Sequence, residues 1–351
     1  MEFGIFDHVD RPHGWLGLGR FYEERLRLIE SYDRLGFRAY HLAEHHFTPL
    51  GMVPSPAVFL AAIAQRTRTL RFGPFVYALP FHHPLRMVEE ICMVDQLSGG
   101  RLELGFGRGS SPIEMEYYGL DPETAQEAYA EALDLVVKGL TRTTIGFAGA
   151  AGRVAEIPME LDCVQKPHPP IWYGAHSLES AERAAGKGLN IVTNDSPAHA
   201  AAVIARFRQE WRALHGAAPS PRVGLVRFIL VGENDAEAEA VARRAYRRWQ
   251  ESFNHLWRKH GRTPRLGVRS TEFDELRDGE EKGIAGAPAT VAAYLQAHLD
   301  RTGADYLVGQ FAFGDLALAE TTRSVELFAR HVMPVLRDGS PAARARGMAS
   351  G

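Results

Sequence analysis

The chain has 351 residues, a formal net charge of -3 at pH 7, 45% hydrophobic residues and 24% charged residues. This composition is ordinary for a globular protein and excludes a mainly disordered or membrane-embedded chain. Charges of both signs are interspersed and give no basic face for nucleic acid. Cys92 and Cys163 are too few and too distant in sequence for a disulfide framework or a zinc site. No signal peptide precedes the first apolar run, so we expect a cytoplasmic protein.

Strand-like and helix-like patterns alternate along the chain. The predicted strands are Phe3–Phe6, Phe37–Ala43, Leu70–Leu79, Arg101–Phe106, Ile171–Gly174, Asn190–Thr193, Val223–Val231 and Tyr306–Phe311. The predicted helices are Tyr22–Leu35, Pro56–Gln65, Pro84–Leu97, Glu123–Leu140, Ser180–Lys187, Ala198–Leu214, Asp235–Phe253, Pro288–Thr302 and Thr322–Val335. This alternation predicts an α/β fold, a (β/α)8 TIM barrel with insertions at its C-terminal face, rather than an open doubly wound sheet. We expect one domain over residues 1–337 and a disordered tail over 338–351.

Local signals refine this prediction at three places. Ser55 before Pro56 is typical of a helix N-cap followed by proline at the first helical position. Gly73-Pro74 inside the third strand indicates a bulge or kink. The polar stretch Asn254–Gly286 is too long for an ordinary βα connection and is a candidate lid over the mouth of the barrel.

The stretch Glu44-His45-His46 follows the second strand, where a barrel places its catalytic groups. Neighbouring side chains of an extended backbone point to opposite faces, so the two imidazoles cannot both enter one pocket. We therefore expect one of them to contact a reactant and the other to be a structural hydrogen-bond partner.

Two further segments indicate an anion site. Arg108 leaves the fourth strand inside the glycine-rich loop Gly105–Ser110, where backbone can approach a ligand closely. The segment from Gly174 to Ser180 ends the fifth strand and begins a helix, whose free N–H groups favour a phosphate. A surface arginine and simple N-capping by Ser177 are the alternatives at these two places.

Aromatic residues near the predicted strand ends indicate an apolar, partly dry pocket. We assign to the substrate pocket His8, Phe47, Tyr77, Phe106, Phe311 and Phe313, with Phe75 nearby. A metallohydrolase barrel is disfavoured because no HExxH motif or compact ligand set occurs, although His8, Asp10, His41 and His45 leave it open. We therefore expect no metal. No GxSxG elbow supports a serine hydrolase.

The motifs taken together resemble the bacterial luciferase-like, flavin-dependent monooxygenase family over almost the whole chain. The resemblance rests on Leu42–Phe47, Leu79-Pro80, His83–Arg86, Asp95–Arg101, Gly107–Gly109 and Pro167–Trp172. It implies a TIM barrel that binds reduced FMN, captures O2 as a flavin peroxide and oxygenates an organic substrate. Members are commonly homodimers supplied by a separate NAD(P)H-dependent flavin reductase.

The resemblance also implies roles for individual residues. His45 matches the catalytic histidine, a general acid and base beside the flavin. The positions that match its cofactor-binding residues are Glu44, Phe75, Val76, Arg108, His176, Ser177 and Ser180. Of these, Arg108, Ser177 and Ser180 match phosphate-binding positions, and Phe75-Val76 matches a non-prolyl cis peptide under the isoalloxazine.

Two departures concern specificity. Gly107 replaces a reactive cysteine of luciferase, which argues against light emission and long-chain aldehyde specificity, and His176 replaces a glutamate.

The hypothesis is therefore an FMNH2-dependent monooxygenase that acts with O2 on a small, largely apolar organic compound. The alternatives are an oxidoreductase of the same fold that uses coenzyme F420, and a non-catalytic flavin-binding protein.

Overall fold

The computed structural model describes residues 1–11, 17–149, 152–263 and 270–339. The strands are β1 (Glu2–Asp7), β2 (Ala39–Leu42), β3 (Arg71–Pro74), β4 (Tyr77–Ala78), β5 (Leu104–Gly107), β6 (Thr144–Gly149), β7 (Gly152–Pro158), β8 (Ile171–Gly174), β9 (Asn190–Thr193), β10 (Val223–Val231), β11 (Gly283–Gly286) and β12 (Tyr306–Gln310). The helices are α1 (Leu18–Arg34), α2 (Pro56–Arg66), α3 (Pro84–Ser98), α4 (Pro112–Tyr117), α5 (Ala125–Thr141), α6 (Leu178–Gly186), α7 (Pro197–His215), α8 (Asp235–Phe253), α9 (His255–Lys259), α10 (Pro288–Thr302), α11 (Leu318–Leu327) and α12 (Met333–Asp338). Asp338 ends α12, and the part of the predicted tail from 340 onward lies outside the described residues.

A parallel sheet forms the centre of the fold. Its strands follow the order β3-β2-β1-β12-β10-β9-β8-β5-β4, with β11 added beside β10. The two end strands, β3 and β4, belong to one run of chain divided by a cis peptide bond between Phe75 and Val76. Pairing of β4 with β5 and a bridge from Phe72 to Leu102 join the two ends of the sheet. The predicted TIM-barrel architecture is therefore confirmed, as is the non-prolyl cis peptide that the resemblance implies at Phe75-Val76. β3 ends at Pro74, within the Gly73-Pro74 pair where a bulge or kink was predicted.

Proline and glycine fix several helix boundaries. Pro56 and Pro84 occupy the first positions of α2 and α3, where a missing N–H costs nothing. Ser55 stands at the predicted N-cap position, but its side chain accepts no capping hydrogen bond. Gly99 ends α3 with a φ of 64°, a left-handed conformation that glycine adopts without penalty. Across the described ranges, no helix combines the length and the apolar character that crossing a membrane requires.

Successive side chains of a strand point to opposite faces of the sheet, so the barrel wall has one hydrophobic core on its outer face and another on its inner face. On β12, Leu307 packs into the core between the barrel and its helices. Its neighbours Tyr306 and Val308 point inward and meet Trp172 and Val192 inside the barrel. Every second residue of a strand therefore packs against the helices, and the residues between them point into the barrel.

The insertions contain secondary structure that the sequence patterns did not predict. The excursion expected around Gly146–Arg153 is an antiparallel hairpin of β6 and β7, with residues 150–151 outside the described part. The stretch Asn254–Gly286 contains α9, a π-helical turn at Glu275–Gly279 and β11, with residues 264–269 also outside. β10 pairs with β9 only over Val223–Leu225, and β11 pairs further along it, over Phe228–Val231. The longer strand thus obtains partners for backbone groups that β9 does not reach.

Candidate active site

Most of the predicted site residues lie at one end of the barrel. The strands β1, β2, β3 with β4, β5 and β8 are successive neighbours around the sheet, and they run parallel. At or just after their C-terminal ends come His8, Glu44, His45, Phe75, Val76, Arg108, His176 and Ser177. The imidazole of His45 and the guanidinium of Arg108 therefore belong to the same end of the molecule, which is the end where TIM barrels build their active sites.

His45 is anchored through one ring nitrogen only. Its Nδ1 lies 3.1 Å from Oε1 of Glu114, and the second oxygen of that carboxylate accepts the backbone N–H of His46 at 2.9 Å. Because an ionised carboxylate can only accept, it selects the tautomer with the proton on Nδ1. Nε2 of His45 has no hydrogen-bond partner in the described part of the chain and is left to act on a ligand.

Glu114 was not predicted from the sequence. It is 4% exposed and lies on α4, the short helix that follows the glycine-rich loop. Ser111 caps this helix by accepting the N–H of Glu114. The spacing Ser111-Pro112-x-Glu114 is a recognisable helix-start signal and could have predicted α4. Nothing in the spacing indicates that the carboxylate turns back to a histidine 69 residues earlier.

His46 is the structural member of the histidine pair. Its Nε2 lies 2.9 Å from Oε1 of Glu44, and its Nδ1 lies 3.0 Å from the hydroxyl of Tyr118. Both ring nitrogens are used, and the side chain is buried. This agrees with the expectation that one imidazole of the pair serves as a structural hydrogen-bond partner.

Glu44 connects the second strand to the turn that follows the cis bond. It accepts hydrogen bonds from His46 and His82 on Oε1 and from the backbone N–H of Ala78 on Oε2. Burial would raise the pKa of this carboxyl, but the hydrogen bonds from His46 and His82 outweigh burial and lower the pKa. Glu44 thus stays ionised and fixes the position of β4, with both oxygens already occupied.

His8 is buried beside His45 and stays neutral. The two imidazoles are stacked with their centroids 5.8 Å apart, and the edge of Trp249 lies against His8. Nδ1 of His8 lies 3.1 Å from Nε2 of Gln310, an amide donor, so the His8 proton is on the other nitrogen. Burial, and then the charge of His45, lowers the pKa of His8 well below its usual value. The structure therefore places a neutral N–H donor next to His45.

Arg108 is an exposed guanidinium with no hydrogen bond or ion pair to any described residue. It follows β5, whose last residue, Gly107, packs directly on Val76. A Cβ at position 107 would come within 2.4 Å of Cγ2 of Val76. Glycine is therefore required here by close packing, which excludes a cysteine side chain unless Val76 moves. Gly109 has a φ of 88°, so the loop also uses a conformation that favours glycine.

The N-terminus of α6 is capped by its own serines. Oγ of Ser177 accepts the N–H of Ser180, and Oγ of Ser180 accepts the N–H groups of His176 and Ser177. The Glu179 carboxylate accepts hydrogen bonds from its own backbone N–H and from Ser177, which lowers the pKa of Glu179. An anionic group thus already lies at this positive helix end.

His176 itself is exposed, and its Nδ1 lies 2.9 Å from the carboxylate of Asp195. The imidazole thus lies just before the start of α6 and is already paired with a carboxylate.

Not all of the predicted pocket aromatics face the mouth. Tyr77 and Phe106, with ring centroids 6.3 Å apart, are buried in the core between the barrel and its helices, so their assignment to the pocket is wrong. On β5 the alternate residues Gly105 and Gly107 are the ones that face Phe75 and Val76. Phe313 packs on Phe228, which in turn contacts Trp249 beside His8. Phe47 is 63% exposed and lies on the rim against Tyr117 and Tyr118.

The assignment of Phe311 to the pocket is wrong. Phe311 packs against Phe37 and Phe328 in the core between barrel and helices. Phe311 lies four residues after Leu307, so both side chains point to the helix side of the sheet. Gln310, between them in the alternation, points into the barrel and contacts His8. A strand-end position is therefore not sufficient to place a side chain in the mouth.

The four residues that kept a metal site open do not form one. His41 lies inside the barrel, where Nε2 contacts the hydroxyl of Tyr306 at 2.8 Å, and Asp10 accepts the N–H of Gly314. Over the ranges that the structure describes, no group of three or more His, Cys, Asp or Glu side chains is arranged to hold a metal ion.

Comparison with known proteins agrees with this geometry. Residues 1–306 match the family model described as luciferase-like monooxygenase. An uncharacterized protein of Sinorhizobium fredii, y4wF, is 41% identical over 323 residues, which is 91% of this chain and 92% of that protein. The oxygenase component of the flavin-dependent trigonelline monooxygenase of Acinetobacter baylyi is 26% identical over 249 residues, 69% of this chain and 68% of that protein.

Among solved structures, the monooxygenase RslO1 from Streptomyces bottropensis superposes with a TM-score of 0.85. It is 26% identical, and the alignment covers 95% of this chain and 99% of that one. The family model spans most of the chain, and a relative of nearly equal length shares two fifths of its residues. The chain therefore belongs to the luciferase-like monooxygenase family.

Proposed function

We propose that this protein is an FMNH2-dependent monooxygenase that uses O2 to oxygenate a small, largely apolar organic compound. The observation that carries the proposal is the arrangement of His45. One of its nitrogens is held by the buried Glu114 carboxylate, and the other has no partner among the described residues. A histidine so oriented is suited to transferring a proton at neutral pH.

The residues at the other side of the mouth fit a flavin with a phosphate tail. The guanidinium of Arg108 is not engaged by any residue that the structure describes, and a fork of this kind binds two phosphate oxygens at once. Ser177, Ser180 and the backbone at His176 would complete the phosphate site at the start of α6 by exchanging their present capping hydrogen bonds for the phosphate oxygens. The Glu179 carboxylate would turn away when the phosphate binds, since its side chain is exposed. When bound, reduced FMN supplies the electrons that activate O2.

The remaining residues would orient the ring and keep water out. Phe75 is stacked on His41 at 3.6 Å and contacts Trp172, so the cis segment is a rigid floor for the mouth. Glu44 holds this segment from behind through Ala78. The aromatic side chains around Trp249 would make the site apolar and exclude water from the reaction, and neutral His8 would provide one hydrogen-bond donor inside it.

We also propose how the protein works with others. A separate NAD(P)H-dependent flavin reductase would supply the reduced cofactor, since a relative is an oxygenase component. Residues 1–337 would act as one barrel domain in a cytoplasmic homodimer, with the stretch Asn254–Gly286 closing over the mouth.

The test compares His45→Ala with a matched control. Each protein receives photochemically reduced FMN, O2 and a panel of aldehydes, ketones, terpenes and thioethers, and the products are identified by mass spectrometry. His45→Ala should keep FMN affinity and release hydrogen peroxide without oxygenated product. His83→Ala should behave as wild type, because His83 is exposed and its side chain makes no capping hydrogen bond. Unchanged product formation by His45→Ala would refute the role of this histidine.

Titration separates the alternatives. FMN and coenzyme F420 are each titrated into the protein, and the tighter ligand identifies the cofactor. Preference for F420, with hydride transfer and no oxygen uptake, would replace the proposal with the F420-dependent oxidoreductase. Tight FMN binding without any product from the panel would favour the non-catalytic flavin-binding protein.

A further inference from the structure

The two cysteines of the chain meet in the fold. Cys92 lies on α3, and Cys163 lies in the segment of residues 161–166, which runs from the β6–β7 hairpin toward β8. Their Sγ atoms are 3.7 Å apart although 71 residues separate them in sequence. Each is a free thiol with 1% of its surface exposed. Their spacing in the sequence does not predict a pair, so this contact is a product of the tertiary structure.

Hydrogen bonds on both sides of Cys163 hold the 161–166 segment against α3. Nε2 of Gln96 donates to the backbone carbonyl of Asp162 at 2.9 Å. The carboxylate of Asp95 accepts the backbone N–H of Gln165 at 3.0 Å and its side-chain amide at 2.8 Å. Cys92, Asp95 and Gln96 lie three and four residues apart and so share one helix face. These contacts do not involve the two sulfur atoms, and a further one does: Sγ of Cys92 lies 3.7 Å from the backbone carbonyl of Leu161.

The two thiols are not equivalent. The hydrogen bond from the Cys163 thiol lowers the pKa of Cys92. The same contact, followed by burial, raises the pKa of Cys163. The thiolate is the nucleophilic form of cysteine, so Cys92 is the residue that reacts first with an electrophile. Cys163 is then the neighbouring thiol that can resolve the product.

We propose that Cys92 and Cys163 form a site of reversible oxidation by hydrogen peroxide. The Cys92 thiolate attacks one peroxide oxygen, the O–O bond breaks, and the departing hydroxide takes up a proton to become water. The sulfur of Cys163 then attacks the resulting sulfenic acid, an S–S bond forms, and a second water leaves. Two thiols are oxidised by two electrons in total, and one peroxide is reduced to two waters.

Small side-chain movements are enough for this step. The sulfur atoms must close from 3.7 Å to the roughly 2.0 Å of a disulfide. The bond would join α3 covalently to the segment that leads into β8, the strand that carries Gly174 and is followed by His176. Because the link closes a long loop in the unfolded chain, it should stabilise the folded protein. The contact between the two sulfur atoms does not depend on the proposed enzymatic function.

The test counts free thiols in the full-length protein. Wild-type protein is exposed to hydrogen peroxide, unfolded in the presence of iodoacetamide and analysed by mass spectrometry. Since the chain has 2 cysteines, the count is unambiguous. Reduced protein should carry two alkyl groups and oxidised protein none, with a peptide pair linked through Cys92 and Cys163. The oxidised form should also melt at a higher temperature, and dithiothreitol should reverse both changes.

Single variants distinguish a cooperating pair from two unrelated thiols. Cys163→Ser should stop at a Cys92 sulfenic acid that dimedone traps. Cys92→Ser should leave Cys163 reduced, with oxidation at least about tenfold slower than in wild type. Cys92→Ala and Cys163→Ala replace either serine variant if it does not fold.

The proposal is overturned if both cysteines remain alkylatable under conditions that convert the exposed Met93 to its sulfoxide. Equal oxidation rates in wild type and Cys92→Ser would overturn it as well.

Discussion

Replacing Glu114 by glutamine tests whether its carboxylate sets the tautomer of His45. In the native protein the carboxylate accepts from Nδ1 of His45 at 3.1 Å and from the His46 backbone at 2.9 Å. Glutamine has the same shape but only one acceptor oxygen. The His46 N–H cannot change its role, so it keeps that oxygen, and the amide NH2 then faces His45. Nδ1 must become an acceptor, and the proton moves to Nε2.

The size of the effect follows from what the substitution removes. The hydrogen bond to a charged acceptor, worth about 1.5–3 kcal/mol, is replaced by a neutral one of opposite direction, worth about 0.5–1.5 kcal/mol, which leaves a difference of about 1–1.5 kcal/mol. At 1.36 kcal/mol per factor of ten, product formed per reduced flavin should fall roughly 5- to 13-fold. FMN affinity should change by less than about twofold, because Arg108 and α6 share no partner with Glu114. Glu114 thus acts as a positioning residue through His45.

Nitrogen NMR of the His45 ring measures the tautomer directly and requires no substrate. The wild type should carry its proton on Nδ1, and Glu114→Gln should carry it on Nε2. Glu116→Gln is the matched control, because Glu116 lies on the same helix but forms an exposed ion pair with Arg262. If Glu114→Gln keeps both the native tautomer and the native product yield, the reasoning fails.

Three further substitutions test separate parts of the structure. Arg108→Ala should weaken FMN binding more than riboflavin binding, by about 10- to 100-fold in the ratio measured by fluorescence titration, and equal losses would contradict the phosphate role. Burial raises the pKa of the Asp10 carboxyl from 3.8 to about 8. Between about pH 4 and pH 8 the folded protein therefore keeps a proton on Asp10 that the unfolded chain releases. The free energy of unfolding should fall with rising pH over this range, by up to about 1.4 kcal/mol per pH unit. Asp10→Asn should remove that slope, giving a urea midpoint gain that is larger at pH 8 than at pH 5; an identical gain at both would contradict the assignment. Phe311→Ala should destabilise folding by about 3–5 kcal/mol while the folded fraction binds FMN normally, whereas a stable variant with altered flavin binding would return Phe311 to the mouth.

Local sequence signals were enough to predict the elements of the barrel and their order, but not α4, α9, β11 or the β6–β7 hairpin. The predicted bounds of the fifth, sixth and seventh barrel strands match β8, β9 and β10, and the predicted helices Asp235–Phe253 and Pro288–Thr302 match α8 and α10. These segments have strong local signals, such as β-branched runs and proline at helix starts. The alternation of strands and helices was enough to predict the barrel, and with it the end where His45 and Arg108 emerge.

Which side chains meet follows only from how the strands and helices pack together. Glu114 reaches His45 across 69 residues, and Gln310 reaches His8 across 302. Such contacts depend on barrel closure, strand register and the angle of a short helix, none of which has a local sequence signal. The pocket assignment of Phe311 was wrong for the same reason, because the face of the sheet on which its side chain lies depends on the alternation along β12. The periodicity of hydrophobic residues predicts each helix and strand. A site formed by residues from several strand ends depends in addition on how those strands pair.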